Sequence, residues 1–308
     1  MNCMQPTRRE FISRLSLAMA SAALPVFGES ARFPIAFSTL GCPAWEWKKV
    51  LDFAVAHGFA AIELRGLEGN LDLPSHPVFA APHMAQTRRE IQDHDLRIAC
   101  VSSSSHMDVP PGPERAKQLS DARRFIDLAA ALEAPFVRIF GTDGSGDKTA
   151  APGDELKDRV ASGLKELGDY AAGHNVTVLI ESHDRFVTSA VLSDVFHRAR
   201  SDQVGLLWDA HHTFADGKED PEFTVGQLGK FIRHTHLKDS VPSGGERRYV
   251  LTGRGDVPIK RQVATLQKIG YKGVFCFEWE KVWHPDLADP EIAIADYAKV
   301  MKGYLSGK

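Results

Sequence analysis

Four side chains of metal-binding type stand where short apolar runs end. "VTVLIE" ends at Glu181, "VGLLWD" at Asp209, "FIRHTH" at His236 and "GVFCFE" at Glu278. Successive members lie 28, 27 and 42 residues apart. The first two intervals are each about one strand–helix unit, and the third carries an additional loop, "SVPSGGERRYVLTGRGD". Three carboxylates and one imidazole gathered at one point would repel strongly without a cation. Around a divalent ion the same set is an octahedral-type site with positions left open for substrate or water. A lone acid after a strand ordinarily caps a helix or lies solvated in a loop. Likewise, a lone histidine on an apolar strand is ordinarily a hydrogen-bonded core residue. Four such residues at equivalent points of successive units argue for a shared centre holding one divalent metal ion, with Mn, Mg, Co or Zn all tolerated by this donor mix. His234 precedes His236 by two residues and faces the same side at a deeper level, as a satisfied core histidine or a support for the ligand.

The elements that must position these residues alternate along the chain. Strand-like runs fall at 34–39, 60–65, 97–102, 136–141, 176–181, 204–209, 231–236 and 273–278. They are short, rich in Val, Ile and Phe, and mostly apolar on both faces, as buried parallel strands are. Between them lie helical patterns. Leu156, Val160, Leu164, Leu167 and Ala171 form one apolar stripe, and Pro258, Ile259, Val263, Leu266 and Ile269 form another that ends before Gly270. "HGFAAIEL" and "IGYKGVFC" share one order: a glycine that stops a helix, an aromatic, then a strand. Eight such strands predict an α/β fold, a (β/α)8 barrel in a single domain over residues 31–308, with its chemistry at the C-terminal strand ends. The rival, a doubly wound open sheet, lacks a glycine-rich phosphate loop after its first strand.

"LIESHDRF", "LLWDAHH", "RHTHLKD", "GRGDVPI" and "FCFEWE" resemble the sugar phosphate isomerase/epimerase group built on the xylose isomerase-like barrel, from about Pro34 to the C-terminus. The resemblance implies metal ligation by Glu181, Asp209, His236 and Glu278, with Glu181 and Glu278 also moving protons. It implies contact of His212 with a substrate oxygen and a place for Lys238 near the site. His183 and His106 join the candidates for substrate contact. Ketose 3-epimerases have a further glutamate six positions after the first ligand, where this chain has Val187, so its substrate pocket differs from theirs.

This ligand set suits proton abstraction next to a carbonyl, through an enediolate stabilised by the cation. Return of the proton to the opposite face gives epimerisation, and return to the neighbouring carbon gives isomerisation. Loss of a leaving group gives elimination. The leading expectation is a metal-dependent isomerase or epimerase acting on an unphosphorylated sugar or keto-sugar. The alternatives are a lyase acting on a 3-keto-glycoside, an inosose-type dehydratase and an inactive sugar-binding barrel. A repair nuclease like endonuclease IV would need further ligands such as His83, His106 and His183. Arg138 reads as a buried barrel residue paired with an acid such as Glu63, or else as a substrate contact.

Composition narrows the partners. The chain has 308 residues, 43% apolar and 25% charged, with a formal net charge of −3, which offers nothing to a polyanion such as nucleic acid. Residues 1–30 read as a Tat-type export signal. Arg8 and Arg9 precede a modest apolar segment rich in Ala and Ser, predicting a mature protein in the bacterial periplasm with no membrane anchor after cleavage. Cys42, Cys100 and Cys276 form no disulfide framework or CxxC pair. A homo-oligomer is left open.

Overall fold

The computed structural model describes residues 32–307 apart from 146, 148 and 149. The export-signal reading falls on residues outside this range. Eight parallel strands close into a barrel: β1 (Ile35–Ser38), β2 (Ala61–Leu64), β3 (Ile98–His106), β4 (Phe136–Phe140), β5 (Thr177–Glu181), β6 (Val204–Asp209), β7 (Ile232–Leu237) and β10 (Phe275–Phe277). They pair in sequence order, and β1 closes the ring between β2 and β10. The expected fold class is therefore the observed one. Between β7 and β10 an antiparallel hairpin, β8 (Asp239–Ser243) and β9 (Glu246–Val250), stands outside the barrel.

Strand alternation divides the apolar residues into two populations. Those facing outward, such as Ile62 and Leu64 on β2 or Ile180 on β5, join one large core with the surrounding helices. Those facing inward form two small clusters on the barrel axis: Ala36, Ala61, Ala99, Val274 and Cys276, and beside them Cys100, Phe136, Leu179 and Leu207. Two residues further along the same inward faces come Ser38, Glu63, Ser102, Arg138, Glu181, Asp209, His236 and Glu278, all buried. A mostly apolar floor, broken by His234 on β7, thus carries a polar layer at the C-terminal end, where barrels of this architecture place their chemistry.

The helices are α1 (Trp47–His57), α2 (Met84–Asp93), α3 (Pro113–Ala131), α4 (Asp154–Ala172), α5 (Ser189–Ala199), α6 (Ala210–Ala215), α7 (Pro221–Leu228), α8 (Ile259–Lys268) and α9 (Pro290–Leu305). The stripe predicted for α4 is wholly buried. On α8, Ile259, Val263 and Leu266 are buried, but Ile269 lies past the last turn and is 50% exposed. Gly58 (φ 73°) and Gly270 (φ 74°) take the left-handed conformation that ends α1 and α8. After each, the next residue's N–H returns to the helix: Phe59 to Ala54 O at 2.9 Å and Tyr271 to Leu266 O at 3.1 Å. Among the described residues no helix is long and apolar enough to cross a membrane. The three cysteines within this range are free and buried.

Candidate metal centre

Glu181 and Asp209 are the last residues of β5 and β6, His236 is the penultimate residue of β7, and Glu278 directly follows β10. One donor atom from each lies within 4.8 Å of the others, and none of the four is more than 4% exposed. Residues up to 97 positions apart in sequence thus meet at one buried point.

His236 is the hub of this cluster. Its Nδ1 faces Glu181 Oε1 at 3.3 Å and Glu278 Oε1 at 3.2 Å, while its Nε2 lies 2.8 Å from Glu63 Oε2. The same Glu63 oxygen takes His234 Nε2 at 2.8 Å, and its other oxygen accepts the Ser38 hydroxyl at 3.0 Å. A carboxylate wedged between two imidazole edges accepts a hydrogen bond from each, which turns His236 Nδ1 toward the cluster, where its lone pair would serve a cation once the Nδ1 proton is given up. This is how metal-ligating histidines are oriented. His234 is therefore a satisfied core histidine whose carboxylate partner also supports the candidate ligand His236. Burial lowers its pKa, so it stays neutral.

Asp209 divides its oxygens. Oδ1 caps α6 by accepting from the backbone N–H of His211 at 2.9 Å and His212 at 3.0 Å, whereas Oδ2 faces Lys238 Nζ at 2.7 Å. Helix cap and candidate ligand are combined in one side chain. Lys238 also reaches Glu278 Oε2 at 2.5 Å and Glu280 Oε1 at 2.7 Å. Burial would strip the Lys238 charge, but Asp209, Glu278 and Glu280 outweigh it and hold the ammonium well above its usual range.

Arg138 is buried as expected, but its partner is not Glu63. Its Nε lies 3.0 Å from Glu181 Oε2, and its Nη1 donates to Ser103 O at 2.8 Å. The barrel order explains this, because β4 adjoins β5 and is separated from β2 by β3. Glu63 is in any case filled by Ser38 and the two histidines. Burial raises the pKa of Glu181, yet Arg138 and His236 prevail and bring it down to about 2. For Glu278 burial acts the same way, and His236 and Lys238 hold it well below the usual carboxylate range. Between these acids, His236 is raised well above its ordinary value despite burial, chiefly by Glu278 and Glu63.

The other expected site residues divide. His212, on α6, approaches Asp209 Oδ2 at 3.5 Å through Nε2, which has no hydrogen-bond partner, while its Nδ1 pairs with Asp216 Oδ2 at 2.8 Å. Burial works against its charge, but Asp209 leads in raising it to about 9, so it is a proton donor at neutral pH. The His183 ring packs edge-on to His212 at 4.7 Å and lies against Phe140 at 5.1 Å, which puts it on the rim. His106 is not brought to the cluster. It ends β3 with Nδ1 2.5 Å from Asp108 Oδ1, and the charges acting on it are Asp108, Asp143 and Glu114. His83 is exposed beside α2, far in chain and setting from the cluster.

Asp239, the charge that closes "RHTHLKD", is structural. It accepts from the N–H groups of Gly253 at 2.8 Å and Gly255 at 2.9 Å, which pins the loop after the hairpin. A Cβ on Gly255 would collide with this carboxylate and with Ser240 O. The roles of Glu63, Glu280 and Tyr249, whose hydroxyl donates to Glu280 Oε1 at 2.8 Å, were not anticipated. The available signal was the alternation used for His234: Glu63 is an acid inside "AAIELR", and Glu280 repeats Glu278 two residues on.

The donor set fits a divalent ion. Three carboxylates and one imidazole nitrogen turned to the same point suit Mg, Mn, Co or Zn. Among the described residues two other groupings, Glu63–His234–His236–Cys276 and Asp209–His211–His212, each share a member with this one. In the first, the histidine Nε2 atoms are committed to Glu63.

Comparison with known proteins gives a consistent picture. The family described as xylose isomerase-like TIM barrel matches residues 51–302. L-ribulose-5-phosphate 3-epimerase UlaE of Salmonella paratyphi B is 25% identical over 274 residues, covering 86% of this chain and 93% of that protein. Among solved structures, the probable 3-DHS dehydratase AsbF of Bacillus anthracis superposes with a TM-score of 0.69 at 17% identity, over 88% of this chain and 99% of that one. A Mycobacterium smegmatis xylose isomerase-like TIM barrel protein in complex with magnesium gives 0.68 at 19% identity, over 89% and 97%.

Proposed function

The chain belongs to the xylose isomerase-like TIM barrel family, and we propose that within it the protein is a divalent-metal-dependent sugar isomerase or epimerase that moves a proton next to a carbonyl. The observation that carries this reading is the convergence of Glu181, Asp209, His236 and Glu278 within 4.8 Å at the barrel mouth. An ion held there would offset the negative charge that develops on the substrate's carbonyl oxygen. Glu181 and Glu278 arrive from β5 and from the end of β10, on either side of β7. Both are held ionised, so each is available to accept a proton, and a substrate between them has a base on each side. Arg138 on Glu181 and Lys238 on Glu278 fix the orientation of the two carboxylates.

His212 supports elimination as the second reading. Its Nε2 lacks a hydrogen-bond partner and carries a proton at neutral pH, so it has what an acid needs to protonate a leaving oxygen. An exported protein meets unphosphorylated sugars. The twin-arginine N-terminus supports export, which fractionation of the producing cell would test. The function itself is tested by incubating the Mn-loaded protein with ketoses and 3-keto-glycosides in heavy water. We expect deuterium at a carbon next to the carbonyl and loss of that exchange when a chelator removes the metal. Sugar binding without exchange would identify an inactive barrel instead.

A further inference from the structure

On the inward faces, two residues beyond the carboxylate layer, β2 leads to Arg65, β5 to His183, β7 to Lys238 and the chain after β10 to Glu280. Two full cations stand on this rim, and their surroundings differ. Lys238 is saturated by Asp209, Glu278 and Glu280. Arg65 makes no ion pair among the described residues. Its side chain donates from Nη2 to Ser104 Oγ at 3.0 Å, and its Nη1 is buried with no partner. The residue is 5% exposed, whereas Ser104 is exposed, so the guanidinium ends just under the open mouth. Its backbone is tied down by Arg65 N–H donating to Thr39 Oγ1 at 3.0 Å.

Leaving a guanidinium nitrogen buried and unpaired is costly, and a fixed fork of donors is matched best by a carboxylate. We propose that Arg65 is a specificity-determining residue that binds a carboxylate on the substrate, making the substrate class sugar acids, such as keto-aldonates or uronates, rather than neutral sugars. The inference deepens the metal-dependent reading above and rests on it for the position of the reacting carbons. Arg65 follows β2, across the mouth from β5, β6 and β7, so a substrate held by the metal at one end meets Arg65 at the other. Burial, aided by Arg138, lowers Arg65 to about 9 against the opposing pull of Glu278, Glu181 and Glu63, so it is charged at neutral pH while its Nη1 has no hydrogen-bond acceptor. With those three acids nearby, a single guanidinium accommodates a carboxylate better than a phosphate, which carries close to two negative charges at neutral pH.

Titration calorimetry of the purified protein with D-arabinonate, D-arabinitol 5-phosphate and D-arabinitol, with and without Mn²⁺, tests this. Arabinonate should bind at least about tenfold more tightly than arabinitol and more tightly than the phosphate, a free-energy preference of about 1.4 kcal/mol or more. Arg65→Gln should erase that preference, while Arg65→Lys, which keeps the charge, should retain part of it. Thermal unfolding shows that each variant is folded. Equal binding of arabinonate and arabinitol, tighter binding of the phosphate, or an undiminished preference in a folded Arg65→Gln protein would each overturn the proposal. Mn²⁺ binding reports separately on the metal centre: failure to bind it, with the Arg65-dependent preference intact, sinks the metal reading and spares this one.

Discussion

Strands β5, β6, β7 and β10 and the positions at their ends bring Glu181, Asp209, His236 and Glu278 into the barrel, whereas β1, β3 and β4 bring Ser38, Ser102 and Arg138 at the corresponding inward positions. One half of the mouth offers donors for a cation, and the other offers hydroxyls and a positive charge. Glu63 on β2 is the exception. It lies in the second half, but both its imidazole partners come from β7. Burial alone does not mark an acid as a candidate ligand, since Glu63 is as buried as Asp209. What differs is occupancy. Glu63 spends its oxygens on Ser38, His234 and His236, with the Cys276 thiol 3.9 Å away, while Glu181 and Glu278 each turn one oxygen toward the shared point.

The sharpest way to break this contrast is Glu278→Gln. The amide keeps the volume and still accepts from Lys238, but it removes a ligand charge and a base. Proton exchange into substrate should fall by about 10²- to 10⁴-fold, measured by deuterium uptake at saturating Mn²⁺. Exchange at the native rate would move the base elsewhere.

Glu63→Gln should act indirectly. An amide oxygen in the Oε2 place can still accept from both imidazoles, but it carries no charge, so it holds the His236 ring and tautomer more weakly. Metal affinity should fall by about 10- to 100-fold, read by Mn²⁺ titration, with substrate exchange restored by excess metal. An unchanged affinity in a folded variant would mean that His236 is oriented without Glu63, and the two halves would then be independent.

Much of this was legible because the barrel repeats. A residue at the end of each apolar run must reach the same rim, so spacing alone pointed to Glu181, Asp209, His236 and Glu278. Partner choice was not legible. Arg138 turns to Glu181 because β4 adjoins β5, a closeness that follows from ring order and tilt rather than from chain distance. His106 lies four residues past the predicted run 97–102; β3 continues to it through an irregularity after Ser102, and there its ring pairs with Asp108 rather than joining the cluster. The β8–β9 hairpin was read as loop, although Gly244 and Gly245, with φ of 59° and 91°, supply the two positive dihedrals of a tight hairpin turn. Pro242 and the charges around that turn masked its alternation.

The smallest expected effect lies on the hydroxyl side, at Ser38→Ala. Ser38 donates to Glu63 Oε1, the oxygen that neither histidine uses. Its loss removes a hydrogen bond to a charged acceptor, which costs about 1.5–3 kcal/mol of stability, visible as a lowered melting temperature. The two imidazole contacts, both on Oε2, remain. Mn²⁺ affinity should therefore stay within about threefold of the native value, well short of the 10- to 100-fold loss expected for Glu63→Gln. If Ser38→Ala weakened metal binding as much as Glu63→Gln does, the orientation of His236 would depend on the whole hydrogen-bonded chain from β1 through β2 to β7. The division of the mouth into a ligand half and a supporting half would then give way to a single coupled network.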